Sequence, residues 1–299
     1  MTTPGSWKII SPAPDTCDIL GQRFAQIKWF IGGASRVALE EWVSFPMGTT
    51  QVHISPVHRT FDMTVLKSAA ADFRYLLNRG YPRTRSLELV GNRYNLDALH
   101  RQILHRGVFA AGKSQLRRAH WVNPSAVCGQ VLAVDGHNVL ITLEAFLSKT
   151  PVVLCDDGWF RDVSGASSGY RFGEIGKRSL AMILETLKAL GPGNTLFLFD
   201  SPMAYSGELA SLVREEMKKY ALAGDARAVP VPENILQEHE GIVATSDSAL
   251  IDRLPRVVDL AGHIIGCHAE CGEVLNLTLL CTTSSRTFPE DGEGEGGDC

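Results

Sequence analysis

The stretch Val131-Leu132-Ala133-Val134-Asp135-Gly136-His137-Asn138 decides how the rest of the chain is read. Four apolar residues in a row end on an aspartate and a glycine, and a second apolar stretch, Val139–Leu147, follows with the look of a helix. An unbroken apolar run of this length suits a strand buried on both faces. The same rhythm recurs outward. Pro151–Cys155, Thr195–Phe199, Ala226–Val231, Ile242–Ala244 and Val257–Leu260 read as strands, and Glu174–Leu190 and Gly207–Tyr220 as helices between them. Apolar strands alternating with helices predict an α/β fold over residues 128–265, a doubly wound and mostly parallel sheet covered on both faces.

The ends of these strands carry acids. The first closes on Val134–Asn138, the second on Cys155-Asp156-Asp157-Gly158, the third on Phe199-Asp200-Ser201, and a later one on Thr245-Ser246-Asp247-Ser248, with Asp252 one helical turn beyond. In a parallel doubly wound sheet the carboxyl ends open on one edge, where ligands bind. A single aspartate after a strand ordinarily caps a helix or closes a turn. Four such ends on one edge would instead gather like charges, which repel unless a cation neutralises them. Oxygen ligands of this kind suit Mg²⁺ or Mn²⁺. Such an ion stabilises charge at a phosphorus under attack and acidifies a bound water.

The charge of the chain is divided. Residues 62–127 hold 11 Lys/Arg against 4 Asp/Glu, whereas residues 128–299 hold 13 against 25. A basic segment beside an acidic one fits attraction of nucleic-acid phosphates to a cation-binding neighbour, although ordinary solvated surface gives the same figures. Residues 61–127 read as a small basic helical module. Val65, Leu66, Ala69, Phe73, Leu76 and Leu77 recur at helical spacing, and Gly80-Tyr81-Pro82 closes that helix. A second helix is expected over Ser86–Val90 with Gly91 in the turn, and a third after Asn95 as N-cap. Residues 1–60 form an irregular extension with one helix expected near Ala34–Val43. Residues 266–299 form a C-terminal extension that ends in a disordered acidic tail, Pro289–Cys299.

Asp135-Gly136-His137-Asn138 resembles the DGxN opening of PIN-like and NYN-type ribonucleases, and Ala244–Asp252 resembles their later S-x-D segment. Residues 62–265 also resemble an uncharacterised prokaryotic family that joins a small basic module to a PIN-like domain. Leu77–Pro82, Leu89–Tyr94, Cys155–Gly158 and Ser206–Leu209 carry that likeness. The resemblance implies a Mg²⁺- or Mn²⁺-dependent ribonuclease cutting phosphodiester bonds through a metal-activated water. Asp135 would be the central metal ligand, with Asp200 and Asp247 completing the shell, Asp252 nearby and Asn138 orienting the site. Glu144 stands where PIN domains place a helix-borne acid, or else faces solvent. Asp156–Asp157 departs from the PIN pattern, and the pair either adds a ligand or shapes a turn with Gly158. Arg74, Arg79, Arg83, Arg85, Arg93, Arg101 and Arg106 would hold RNA, or DNA, without reading its sequence.

Two alternatives stand beside this reading: a nucleic-acid-binding regulator of the same fold without turnover, and a phosphatase for a small metabolite. His263, Cys267, His268 and Cys271 offer four zinc-type ligands, but packed too closely to converge. The Gly/Ser-rich loop following Asp162 lacks the lysine of a P-loop. Seven scattered cysteines suit reduced thiols, and no stretch has the length of a signal peptide or membrane span. A cytoplasmic protein is expected.

Overall fold

A computed structural model of the 299-residue chain describes residues 63–163, 170–268 and 274–278. The expected helix near Ala34–Val43, the Gly/Ser-rich segment 164–169 and the acidic tail lie outside the described residues. Ten α-helices and eight strands follow one another among them.

Helices α1 (Met63–Asn78), α2 (Arg83–Arg93), α3 (Ala98–Gly107) and α4 (Ala111–His120) come first. The next elements are β1 (Val131–Asp135), α5 (Gly136–Leu147), β2 (Val152–Leu154), β3 (Phe160–Asp162), α6 (Glu174–Leu190) and β4 (Asn194–Asp200). After these run α7 (Ser206–Lys219), β5 (Gly224–Val229), α8 (Pro232–Glu238), β6 (Ile242–Ala244) and α9 (Ser248–Ile251). The chain then gives β7 (Val257–Val258), α10 (Leu260–His268) and β8 (Val274–Asn276).

Five strands form one all-parallel sheet in the order β5-β4-β1-β6-β7. Apolar residues alternate between its two faces as the pleat demands. Leu132, Val134, Phe197, Phe199, Ile242 and Ala244 join a core with α5, α6 and α7. Ala133, Leu198 and Val243 join a second core on the opposite face, with Trp159, Leu236 and Ile251. A parallel sheet with apolar cores on both faces is consistent with a doubly wound fold. From β1 the chain builds outward through β4 to β5, then returns to lay β6 on the other side of β1. The crevice between the ends of β1 and β6 is thus the topological switch point, where such sheets bind ligands.

The strand read at Pro151–Cys155 does not join this sheet. β2 lies in a separate three-stranded sheet, antiparallel to β3 and parallel to β8. Its residues alternate between two cores. Val152 faces the α/β core, whereas Val153 and Cys155 face a third core with Leu66, Phe73, Ile103 and Leu104 of α1 and α3. The continuous apolar run was a sound sign of burial on two sides, but one of those sides is made by the N-terminal helices. The strand end at Asp156–Asp157 therefore does not share the edge formed by β1, β4 and β6.

Two expected helix boundaries also move. Gly91 lies within α2, and its lack of a side chain makes room for Arg101: a Cβ there would fall 2.0 Å from the guanidinium. Asn95 takes a left-handed turn conformation, and the cap of α3 is Asp97, whose side chain accepts from the His100 amide. Helix α4, with no counterpart in the pattern of the sequence, adds Lys113, Arg117 and Arg118.

Candidate functional site

Asp135 is the last residue of β1, and the chain turns at once into α5. Gly136 makes that turn possible, since a Cβ on it would meet the Phe199 ring at 2.3 Å. One Asp135 oxygen accepts a 2.8 Å hydrogen bond from Thr245 Oγ1, at the end of β6. Burial, joined by the negative charges of Asp247 and Asp200, pushes its carboxyl up to about 7. Asp135, Asp200 and Asp247 therefore act on one another at the carboxyl edge of the sheet.

The neighbours fix this edge from both sides of β1. Asn138 reaches across the switch point, and its Oδ1 accepts from both the backbone NH and the hydroxyl of Ser246, each at 2.8 Å. Thr245 Oγ1 also accepts from the Asp247 amide at 3.0 Å. Asp247 is an N-cap: its Oδ1 accepts from the amides of Ala249 and Leu250, both at 2.9 Å. Capping occupies one oxygen of this exposed carboxylate. On the other flank, Asp200 ends β4, and burial raises its carboxyl above the ordinary range. Its amide donates to His137 Nδ1 at 3.1 Å, which places the His137 proton on Nε2. Burial lowers His137 to about 4, so this imidazole is neutral near pH 7 and does not offset the aspartates. Glu144 accepts a 2.6 Å hydrogen bond from Tyr170 and is raised by burial, so it does not simply face solvent.

The other three candidate ligands are held by arginines. Asp156 takes two hydrogen bonds from Arg74, at 2.8 and 2.7 Å, and a third from the Phe109 amide at 3.1 Å. Asp157, fully buried, accepts from Arg117 at 2.9 Å and from Arg161 at 2.8 and 2.9 Å. Burial alone would raise it, yet the two guanidinium groups hold it below the usual carboxylate range. Asp252 pairs with Arg117 at 2.7 Å and with Lys113 at 3.3 Å. In this arrangement these oxygens are counter-ions to arginine and lysine and not ligands for a metal. A guanidinium already neutralises each, and the strand that carries Asp156 and Asp157 belongs to the other sheet.

Beside the rim lies a cleft of about 420 Å³, lined on one side by Arg83, Phe109, Lys113 and Arg117 and on the other by Asn138, Ser246 and Asp247. Arg106 and Arg161 also line it. Arg161 Nε donates to the Ser246 carbonyl at 2.6 Å, which ties this cationic wall to the β6 rim. Of the arginines singled out in the sequence, only Arg83 and Arg106 reach the cleft. Arg74 and Arg101 are committed within the fold, to Asp156 and to the Leu96 carbonyl. Arg79 lies over the Tyr75 ring, Arg85 pairs with Glu88, and Arg93 pairs with Asp72. Lys113, Arg117, Arg161 and Phe109 escaped the sequence reading. The signal for the first two was the basic run Lys113–Arg118.

Among the described residues, no group of three or more His, Cys, Asp or Glu side chains is disposed to hold a metal ion. Asp135, Asp200 and Asp247 are the carboxylates that could hold a hydrated Mg²⁺, because the half-buried Asp135 carboxyl, raised by burial and by its two acidic neighbours, is where a cation would relieve repulsion. They do not form a closed cage of protein ligands. His263, Cys267 and His268 lie on α10, and Cys271 is outside the described residues. No described helix is long and apolar enough to cross a membrane.

Residues 65–120 match a family described as a protein of unknown function (DUF434), and residues 124–263 match a domain of unknown function (DUF5616). The chain is 33% identical over 202 residues to the uncharacterized protein MJ0935 of Methanocaldococcus jannaschii, an alignment covering 67% of this chain and 96% of the relative. No solved structure matches the chain.

The chain belongs to the family of that archaeal protein.

Proposed function

For a member of this family with a parallel sheet and acids at its switch point, we propose a divalent-cation-dependent nuclease of PIN-like fold that hydrolyses RNA phosphodiester bonds. The observation that carries this reading is the Asp135 carboxyl, raised by burial and by two acidic neighbours beside a cation-lined cleft. Asp135, with Asp247 and Asp200, would hold the cation. When bound, Mg²⁺ or Mn²⁺ supplies positive charge to a phosphorus under attack and acidifies water.

The chain's own groups contribute around that centre. Asn138 fixes the β6 rim through Ser246, and Thr245 orients the Asp135 oxygen that accepts its proton. In the metal-free chain the Asp135 carboxyl takes up a proton near neutral pH, and a bound cation would displace it. Arg83, Arg106 and Lys113 attract phosphate to the adjoining cleft. The test is cleavage of end-labelled RNA and DNA with Mg²⁺, with Mn²⁺ and with chelator. RNA products that require metal and vanish in Asp135→Asn support the reading, whereas wild-type cleavage by that variant removes it.

One observation favours a second reading, a nucleic-acid binder without turnover: three of the six candidate ligands are bound to basic side chains. Salt-sensitive RNA binding with no product under either metal would select it.

A further inference from the structure

Three guanidinium groups surround one phenyl ring at the wall of the cleft. Arg117, Arg83 and Arg161 lie 4.4, 4.8 and 5.2 Å from the Phe109 centroid. Like charges are not gathered in this way without compensation, and the compensation here is incomplete. Asp157 serves both Arg117 and Arg161, and Asp252 serves Arg117 and Lys113. Arg83 has no carboxylate partner among the described residues. Its bonds go to the carbonyl oxygens of Leu104 and His105, through one terminal nitrogen. Partial burial and the fields of Arg117 and Arg161 lower it to about 10, so an anion beside it would be stabilised.

The surroundings hold these cations in place. Asp156 binds the Phe109 amide and is itself clamped by Arg74, so the ring is fixed from behind. Asp157 and the Ser246 carbonyl fix Arg161. The Asp156–Asp157 pair, unexplained by the PIN pattern, thus builds a preorganised cationic wall. Guanidinium groups held on an aromatic face with donors still available suit phosphate oxygens. Five cations line the cleft, Arg83, Arg106, Lys113, Arg117 and Arg161; Asp157, Asp162 and Asp252 are paired with them, and Asp247 stands on the facing wall. A phosphate monoester, with three terminal oxygens to offer the forked donors, suits this wall better than an internal diester, which has two.

We infer that the cleft walled by Arg83, Phe109 and Arg117 is a binding site for a phosphate monoester, the phosphorylated end of an RNA strand or a mononucleotide. This deepens the nuclease reading and rests on it for the RNA end, since Asp247 on the facing wall would then lie near the terminal nucleotide.

The test is fluorescence anisotropy on the full chain in chelator, with one oligoribonucleotide carrying a 5′-phosphate, a 3′-phosphate or hydroxyl ends. A phosphorylated end is expected to tighten binding by about tenfold or more, with inorganic phosphate competing. Arg83→Gln should remove the advantage of the phosphate, and the mostly exposed Lys113→Gln should reduce it about threefold; the second variant decides the matter if the first fails to fold. Preference for one labelled end identifies a strand terminus, whereas equal binding of adenosine monophosphate identifies a small phosphomonoester. Equal affinity for phosphorylated and hydroxyl ends overturns the inference, as does a phosphate preference that survives both substitutions. Because no metal or turnover enters this assay, its failure leaves metal-dependent cleavage standing, and loss of cleavage in Asp135→Asn leaves this site standing.

Discussion

Two sets of aspartates, similar in the sequence, meet opposite fates. Asp156, Asp157 and Asp252 lie against the N-terminal helices and are neutralised by Arg74, Arg117, Arg161 and Lys113. Asp135, Asp200 and Asp247 lie on the edge of the five-stranded sheet and have no cationic partner among the described residues, His137 being neutral. The first set holds two cores together across a cationic wall. The second stores repulsion that only protonation or a cation relieves. The teaching of the pair is that an aspartate after a strand gains its meaning from what stands opposite, and that a guanidinium opposite it argues for architecture.

The contrast predicts opposite responses to the same chemical change. The largest effect is expected on turnover: Asp135→Asn should lower metal-dependent cleavage by at least about 10³-fold, the equivalent of several kcal/mol at the transition state. Single-turnover assays on a variant with an unchanged circular dichroism spectrum measure this. Next comes stability. Asp157→Asn leaves Arg161 buried without its counter-ion and Arg117 with Asp252 alone, and should cost about 3–5 kcal/mol in urea unfolding, whereas Asp135→Asn should cost nothing or stabilise. Equal losses in the two variants would erase the distinction between the sets.

A pH series sharpens the comparison further. Asp135 binds its proton more tightly in the folded chain than when unfolded, so the folded state holds more protons between the ordinary carboxylate range and about 7. Stability from this group is present at low pH and is lost as pH rises through that value. The metal-free protein should therefore melt lower at pH 8 than the trend of Asp135→Asn, and added Mg²⁺ should restore it. Asp157 is depressed, and its contribution is lost only on acidification, the reverse sign. The smallest effect belongs to Asp252→Asn: the pair is partly exposed, and the change should cost about 1 kcal/mol and fade in high salt.

Much of the sheet was legible. The runs Val131–Val134, Leu196–Phe199 and Ile242–Ala244 are apolar at every position because both faces are covered, and Glu174–Leu190 matches α6 to the residue. The strand at Val152 was legible as a strand but not as a member of another sheet, since burial against helices and burial within a parallel sheet leave the same apolar run. Asp135, Asp200 and Asp247 share an edge, as their places after strands suggested, because topology alone brings them there. The pairing of Asp157 with Arg117 spans 40 residues, and that of Asp252 with Arg117 spans 135. No local pattern encodes such contacts. Phe109, an aromatic in a helix-to-helix connection, showed no sign of the three guanidinium groups it supports.

The most direct measurement of the division between the two sets is Mn²⁺ binding followed by electron paramagnetic resonance on the full chain, with Asp135→Asn and Asp156→Asn beside the wild type. Mn²⁺ should bind the wild type and Asp156→Asn alike and be lost from Asp135→Asn. Binding that survives Asp135→Asn, or that depends on Asp156 instead, would contradict the assignment of the cation to the edge of the sheet.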